Sequence, residues 1–330
     1  AVYERQETED MTIQRRAVLV ATLVAAAFAT PSIALAQKKI VLGFSQVGAE
    51  SAWRTANTES IKQSAKDAGI ELKFSDAQQK QENQIKAIRS FIAQKVDVIA
   101  LSPVVETGWD TVLKEAKAAH IPVILTDRAV DSKDTSLYVT FMGSDFVEEG
   151  RRAGRWLEEF EKGKPGPFNI VELQGTVGSA PAIDRKKGFA EVIGTDPRMK
   201  IIRSQTGDFT LAKGKEVMEA FLKAEGKNIN VLYAHNDDMA LGAIQAIEEA
   251  GLKPGVDITV ISIDATKGAF EAMIAGKQNV VIECSPLLGP QLMSATKDVL
   301  AGKTLPKRIL TIETVFPREV AAAEYPKRKY

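Results

Sequence analysis

The sequence predicts an α/β protein of two lobes, each a mostly parallel sheet sandwiched between helices. Three observations carry this reading. From Lys39 onward, apolar β-branched runs alternate with segments whose apolar residues recur every three or four positions, which is the pattern of βα units. The alternation completes four units by Asp127 and restarts after Tyr138 to Gly143, so two consecutive series have similar length. Polar residues also collect where the apolar runs stop, at the strand ends where open α/β sheets hold ligands.

Taken in order, KIVLGFS (Lys39 to Ser45) is an apolar strand, and Trp53 to Ala68 is helical, closed by Gly69 in a C-cap position. ELKFSDA alternates as a strand does. Gln84 to Ala93 places Ile85, Ile88, Phe91 and Ile92 on one helical face. VDVIALSP, a helix around Val112, Leu113, Ala116 and Ala119, and then IPVILTD finish the first series. In the second, helix Val147 to Glu161 leads through the turn KGKPGP to strand FNIVELQG, and helix Ile183 to Ile193 leads to KIIRSQTGDF. Helix Ala212 to Ala224 then precedes VLYAHNDDMALG, and a further helix precedes ITVISID. NVVIECSP, helix Leu288 to Leu300 and the single strand RILTIETVF are too few for a third domain. They complete the two sheets, which requires the chain to cross between lobes more than once.

The 330 residues are 45% hydrophobic and 26% charged, with Lys+Arg 43 against Asp+Glu 43, a globular composition at a length for roughly two domains. A net charge of zero argues against a nucleic-acid partner. Met11 to Ala36 reads as an export signal: MTIQRR is basic, AVLVATLVAAAFA is apolar, and Ala34-Leu35-Ala36 is an A-x-A cleavage site. The mature chain then starts at Gln37, and residues 1–10 lie upstream of the signal. Arg15-Arg16 also raises twin-arginine export, although Ala-Val-Leu follows the pair. A single cysteine, Cys284, leaves no internal disulfide, and a chain of this size is stabilised by its core without one.

Reading each strand end in turn gives Ser45-Gln46, Asp76, Ser102 and Asp127-Arg128, then Gln174, Asp208-Phe209, Asn236-Asp237, Asp264 and Glu283. A lone polar residue there commonly caps the next helix. The collective pattern points instead to a ligand rich in hydroxyl groups. Asp127-Arg128 sets a carboxylate beside a five-donor fork suited to vicinal hydroxyls, with a structural ion pair as the alternative. Trp53, Trp109 and Phe209 sit at element junctions, where an aromatic face either stacks on a sugar ring or packs in the core. Within VLYAHNDDMALG, Asn236 is expected to face the ligand, while Asp237 and Asp238 cap the helix that follows.

Enzyme readings are weak. Gly175-Thr176-Val177-Gly178 misses the G-x-G-x-x-G spacing, no G-x-S-x-G is present, and the histidines, His120 and His235, lack the partners a metal site needs. A repressor's sensing core needs a DNA-binding helix pair where this chain has an export signal. The expectation is no catalytic residue, no metal ligand and no cofactor.

The runs FSQVGAESAWR, DAQQKQENQIKAIRSFIAQ, SPVVETGWD, LTDRAVD, VELQGTVGSAPAIDRKKGFAE, IIRSQTGDFT and YAHNDDMALGAIQAIEEAGLKPG resemble the periplasmic sugar-binding proteins of the ribose/galactose group. The likeness is nearest to the galactofuranose-binding members that serve ABC importers, and it covers Lys39 to about Pro306. It implies the type I periplasmic-binding-protein fold: two Rossmann-like lobes joined by a three-crossover hinge. The N-terminal lobe would comprise residues 37–141 and 285–312, and the C-terminal lobe residues 142–284 and 313–330. It further implies a monomeric receptor in the periplasm that closes on a monosaccharide and delivers it to an ABC permease.

Carried onto this chain, the family's contacts fall on Ser45, on Trp53 with Arg54 beside it, and on Asp127 and Arg128 in the first lobe. In the second they fall on Arg185, Phe209, Asn236 and Asp264. The hinge-side contact falls near Glu283 or Cys284, with Glu283 taken as the contact. Here Glu-Cys-Ser-Pro stands where ribose binders have glutamine, and Asp264-Ala265 replaces the family's Asp-Gly.

Overall fold

The structure of the protein, a computed structural model, describes residues 38–330. The export signal, its cleavage site and the upstream segment lie outside the described residues. The first sheet holds β1 (Val41–Gln46), β2 (Glu71–Asp76), β3 (Val98–Leu101), β4 (Val123–Thr126), β5 (Thr140–Gly143) and β11 (Arg308–Leu310), in the order β11-β5-β4-β3-β1-β2. The second holds β6 (Phe168–Gln174), β7 (Met199–Thr206), β8 (Val231–Ala234), β9 (Thr259–Asp264), β10 (Val280–Glu283) and β12 (Val315–Pro317), in the order β12-β10-β9-β8-β6-β7. Every pairing is parallel except β10 with β12. Each sheet thus repeats one winding, 2-1-3-4-5 with an added edge strand, and such a sheet has its switch point beside its first strand.

The helices in chain order are α1 (Ala52–Asp67), α2 (Gln81–Ala93), α3 (Asp110–Ala118), α4 (Phe146–Phe160), α5 (Ala180–Ile193), α6 (Leu211–Glu225), α7 (Asp237–Glu249), α8 (Lys267–Ile274), α9 (Gly289–Leu300) and α10 (Ala321–Glu324). Their apolar faces cover both sides of the sheets. Ile88, Phe91, Trp109, Val112 and Leu113 pack on one face of the first sheet, and Ile61, Leu292 and Met293 on the other. Phe146, Leu157 and Phe189 cover one face of the second sheet, and Val217, Phe221, Ala243 and Ile247 the other. The central strands are buried on both faces, which explains their continuous apolar runs. Among the described residues, no helix is long and apolar enough to cross a membrane.

The chain crosses between sheets from β5 to α4, from β10 to α9, and from β11 to β12. Met142 still pairs with Thr126 in the first sheet, so the expected change of lobe at 141/142 falls two residues early. RILTIETVF is two strands. Its first half pairs with β5 and its second with β10, and a single strand cannot serve two sheets. Between them Ile312 is 97% exposed.

Candidate functional site

At the end of β1 the chain turns into α1 through Ser51, whose hydroxyl accepts a bond from Arg54 N at 3.1 Å and caps the helix. That cap fixes Trp53 and Arg54 in the first turn. Trp53 Nε1 donates to Cys284 O at 2.7 Å, pinning the indole across to the end of β10. Arg54 donates through Nε to Glu50 Oε1 at 3.1 Å, and its Nη1 lies 2.7 Å from Asp127 Oδ2. Asp127 also accepts from Ser102 Oγ at 3.0 Å. Arg128 donates to Val104 O at 3.1 Å, and its Nη2 lies 3.8 Å from Glu50 Oε1.

The second lobe holds its polar groups differently. On α5, Arg185 donates through Nε to Glu149 Oε2 and through Nη1 to His235 O, both at 2.7 Å, and its Nη2 is 3.9 Å from Asp264 Oδ1. Phe209 follows β7 with φ 61°, and its ring fills the space over Gly175: a Cβ there would lie 1.9 Å from Phe209 Cζ. This accounts for the glycine that begins the imperfect dinucleotide-like spacing.

These groups line one cavity between the lobes, formed by Glu50, Ser51, Trp53, Arg54, Asp127, Arg128, Pro181, Arg185, Phe209, Asn236, Asp264 and Cys284. Both lobes contribute walls and touch across them. The Arg128 guanidinium lies 5.3 Å from the Phe209 ring centroid, and Glu106 N donates to Gly178 O at 2.9 Å. The cleft is therefore closed.

Its electrostatics follow from burial and pairing. Burial works against the charge of Arg54, but Asp127 and Glu50 outweigh it and push its pKa up. For Arg185, burial is likewise overcome, by Glu149 above all. Arg128 goes the other way, down to about 10, because burial and then Arg54 oppose its charge. Burial, then the nearby Asp237, raise the Asp264 carboxyl well above the usual range. Among the lining groups, Glu50 Oε2, Arg128 Nε and Asp264 Oδ2 are buried without a hydrogen-bond partner. Native proteins rarely leave such atoms unpaired except where a ligand or water completes them.

Eight of the residues singled out by sequence meet in this cavity: Trp53, Arg54, Asp127, Arg128, Arg185, Phe209, Asn236 and Asp264. Two do not. Ser45 is fully buried within β1 and absent from the lining; Gln46 does not line it either, but supports a residue that does, its Oε1 accepting from Arg54 Nη1 at 3.2 Å. Glu283 turns toward the C-terminal segment, accepting from Arg328 Nη2 at 3.0 Å and Thr314 N at 3.2 Å, and Cys284 takes its place in the wall. Asn236 lines the cavity as expected, but the capping role within NDD also falls to it rather than to Asp237 and Asp238. Asn236 is the N-cap of α7, accepting from Met239 N at 3.0 Å and donating to Phe209 O at 3.0 Å. Asp237 is buried against Thr266 N and Oγ1, each at 2.8 Å, and Ser262 Oγ.

Trp109 is core, its Nε1 donating to Val105 O at 2.6 Å. His235 is buried between Glu172 Oε1, 3.0 Å from Nε2, and Gly175 N, which donates to Nδ1 at 3.3 Å. Sequence reasoning missed Glu50, Ser51 and Pro181. Glu50 carried one signal, its spacing of four from Arg54, which becomes an ion pair only because the turn places both against Asp127. Behind the cavity, ligand atoms of Glu149, Cys284 and Glu313 lie within 4.8 Å of one another. The Arg185 guanidinium at Glu149 already supplies the positive charge that a cation would bring to this cluster.

Comparison with known proteins agrees with this architecture. The galactofuranose-binding protein YtfQ of Escherichia coli K12 is 53% identical over 315 residues, 94% of this chain and 98% of that protein. A Mycobacterium smegmatis protein solved in complex with β-D-fucofuranose is 59% identical, with a TM-score of 0.86 over 88% of this chain and 95% of that one. The binding protein of the arabinose ABC transporter from Shewanella sp. ANA-3, bound to α- and β-L-arabinofuranose, is 55% identical, with a TM-score of 0.84 and the same coverage, 88% and 95%. The profile of the periplasmic binding protein domain matches residues 42–304. That match spans both similarly wound lobes and the cavity between them, and the chain belongs to the periplasmic binding protein domain family.

Proposed function

We propose that this protein is the extracytoplasmic receptor of an ABC sugar importer. It holds one monosaccharide in furanose form, best matched by galactofuranose, between lobes that close on it. The observation that carries this is the set of buried atoms in the cavity wall without a hydrogen-bond partner, Glu50 Oε2, Arg128 Nε and Asp264 Oδ2. A sugar hydroxyl both donates and accepts, so a ring of vicinal hydroxyls satisfies a mixed set of this kind. An apolar ligand leaves all three unpaired, and an anion meets the carboxylates of Glu50 and Asp127.

The choice of furanose rests on the relatives. Their ligands, galactofuranose, fucofuranose and L-arabinofuranose, share one configuration at ring carbons 2 to 4 and differ in the tail beyond carbon 4. In this reading Arg54, Asp127, Arg128, Arg185 and Asp264 pair with the ring hydroxyls, while Trp53 and Phe209 cover its faces. Expulsion of water on closure strengthens these charge-assisted bonds. The sugar shifts the open–closed balance only by its preference for the closed form, and contacts from both lobes supply that preference. The closed monomer in the periplasm is then what the permease reads, and no chemical step is involved.

Carbon-13 spectra of labelled D-galactose with the protein test this directly, because furanose and pyranose anomeric carbons resonate apart. A bound furanose signal is expected. A bound pyranose, or turnover of the sugar to a product, overturns the reading.

A further inference from the structure

At the mouth of the cleft, Ala52 N lies 3.1 Å from Asp238 Oδ2 and 3.3 Å from Asp238 Oδ1. The donor is the first residue of α1 in one lobe, and the acceptor sits in the first turn of α7 in the other. Neither lines the cavity. The N-terminus of α1 exposes backbone N–H groups and the positive end of the helix dipole, and its first turn contains no acidic residue of its own. Ser51 satisfies Arg54 N and leaves Ala52 N to be met from outside the helix. Asp238 meets it from the opposite lobe.

We propose that Asp238 is a closure latch: a positioning residue whose carboxylate caps α1 across the cleft, holding the lobes shut without touching the ligand. Trp53 and Arg54 are the next two residues of that helix, so the latch closes directly beside the site's own contacts. Residues that bind sugar favour closure only when sugar is present. Asp238 favours it in both states, which sets how often the empty receptor closes and how long the loaded one stays closed.

The proposal rests on the receptor reading only for its sugar arm. Spin labels on Lys86→Cys of α2 and Lys213→Cys of α6, both exposed, report the lobe separation, while buried Cys284 stays unlabelled. In sugar-free protein, Asp238→Ala is expected to reduce the closed-distance population about fivefold, the effect of one partly solvated hydrogen bond. Asp238→Asn, which keeps an acceptor oxygen, retains most of it. Ala52→Pro removes the donor at a first-turn position that accommodates proline, and Ser51 before it is already extended at φ −145°, ψ 162°. It should reproduce Asp238→Ala, and the double variant should add nothing further. With D-galactose as the probe, release should quicken about fivefold in Asp238→Ala while association is little changed. Unchanged distances and release rates in Asp238→Ala and Ala52→Pro overturn the latch. Failure of D-galactose to bind the parent protein counts against the sugar reading, and the label distances still judge the latch.

Discussion

The two walls of the cavity are built on different principles. On the first lobe, Glu50, Arg54, Asp127 and Arg128 hold one another: Arg54 bridges Glu50 and Asp127, and Arg128 approaches Glu50. On the second, Arg185 and Asn236 are tied to the framework, Arg185 to Glu149 and His235 O, Asn236 to Phe209 O and Met239 N. A mutually supporting network is expected to fail as a unit, whereas groups anchored separately to a scaffold should fail one at a time. Backbone strain is shared by both walls, since Asp127 at φ 64°, Phe209 at φ 61° and Asp264 at φ 135° all lie in the left-handed region.

The largest effect should come from the first wall. Arg54→Ala leaves Glu50 and Asp127 buried with only the more distant Arg128, 3.8 Å from each, and should cost about 3 kcal/mol of stability, read by urea unfolding. Adding Asp127→Asn should then cost less than it does alone. Simple addition of the two losses would break the picture of a network. On the second wall, Arg185→Ala should weaken sugar binding by about 2 kcal/mol or more, and calorimetry showing unchanged affinity would remove Arg185 from the site.

Gly175→Ala probes the packing behind that wall. The new methyl group displaces the Phe209 ring and should cost about 1–3 kcal/mol in binding, with partial recovery when Phe209→Leu restores room. A separate effect is a pH dependence at the hinge. Glu313 accepts from Ser285 N at 2.9 Å and from Ser144 Oγ, and so ties the three crossings together. Burial, then the nearby Glu149, raise its carboxyl to about 8. The folded state therefore holds a proton that the unfolded chain releases near pH 4.5. The resulting stability is full below that pH, declines as pH rises, and is gone above about 8, with a slope of at most about 1.4 kcal/mol per pH unit. Glu313→Gln should flatten this part of the unfolding profile between pH 5 and 8, and an unaltered slope would place the proton elsewhere.

Most of the fold was legible because both periodicities are strong in this chain. The four-residue strands β3, β4 and β8 are apolar throughout, and α2 displays Ile88 and Phe91 on its buried face. The misreadings share a cause. RILTIETVF has the composition of one strand, and only the competition of two sheets for its halves divides it. Asn236, Asp237 and Asp238 are equally good caps by type, and which of them caps α7 depends on where the helix begins, to a single residue. Ser45 and Gln46 differ by one position along a strand, which sends their side chains to opposite faces.

The sequence by itself determined the α/β class, the two series, the strand ends that carry polar groups and the residue types gathered there, because apolar periodicity and turn chemistry act over a few neighbours. Only the tertiary structure decided which of those polar groups face one another. Glu50 became part of the site, Glu283 left it for Arg328, and Asp238 reached Ala52 across 186 positions of chain. Such partnerships depend on distances set by two packed sheets and three crossings, and no local pattern encodes them. The strand ends therefore marked where a site could form, and the closed cleft determined which atoms were left there for a ligand.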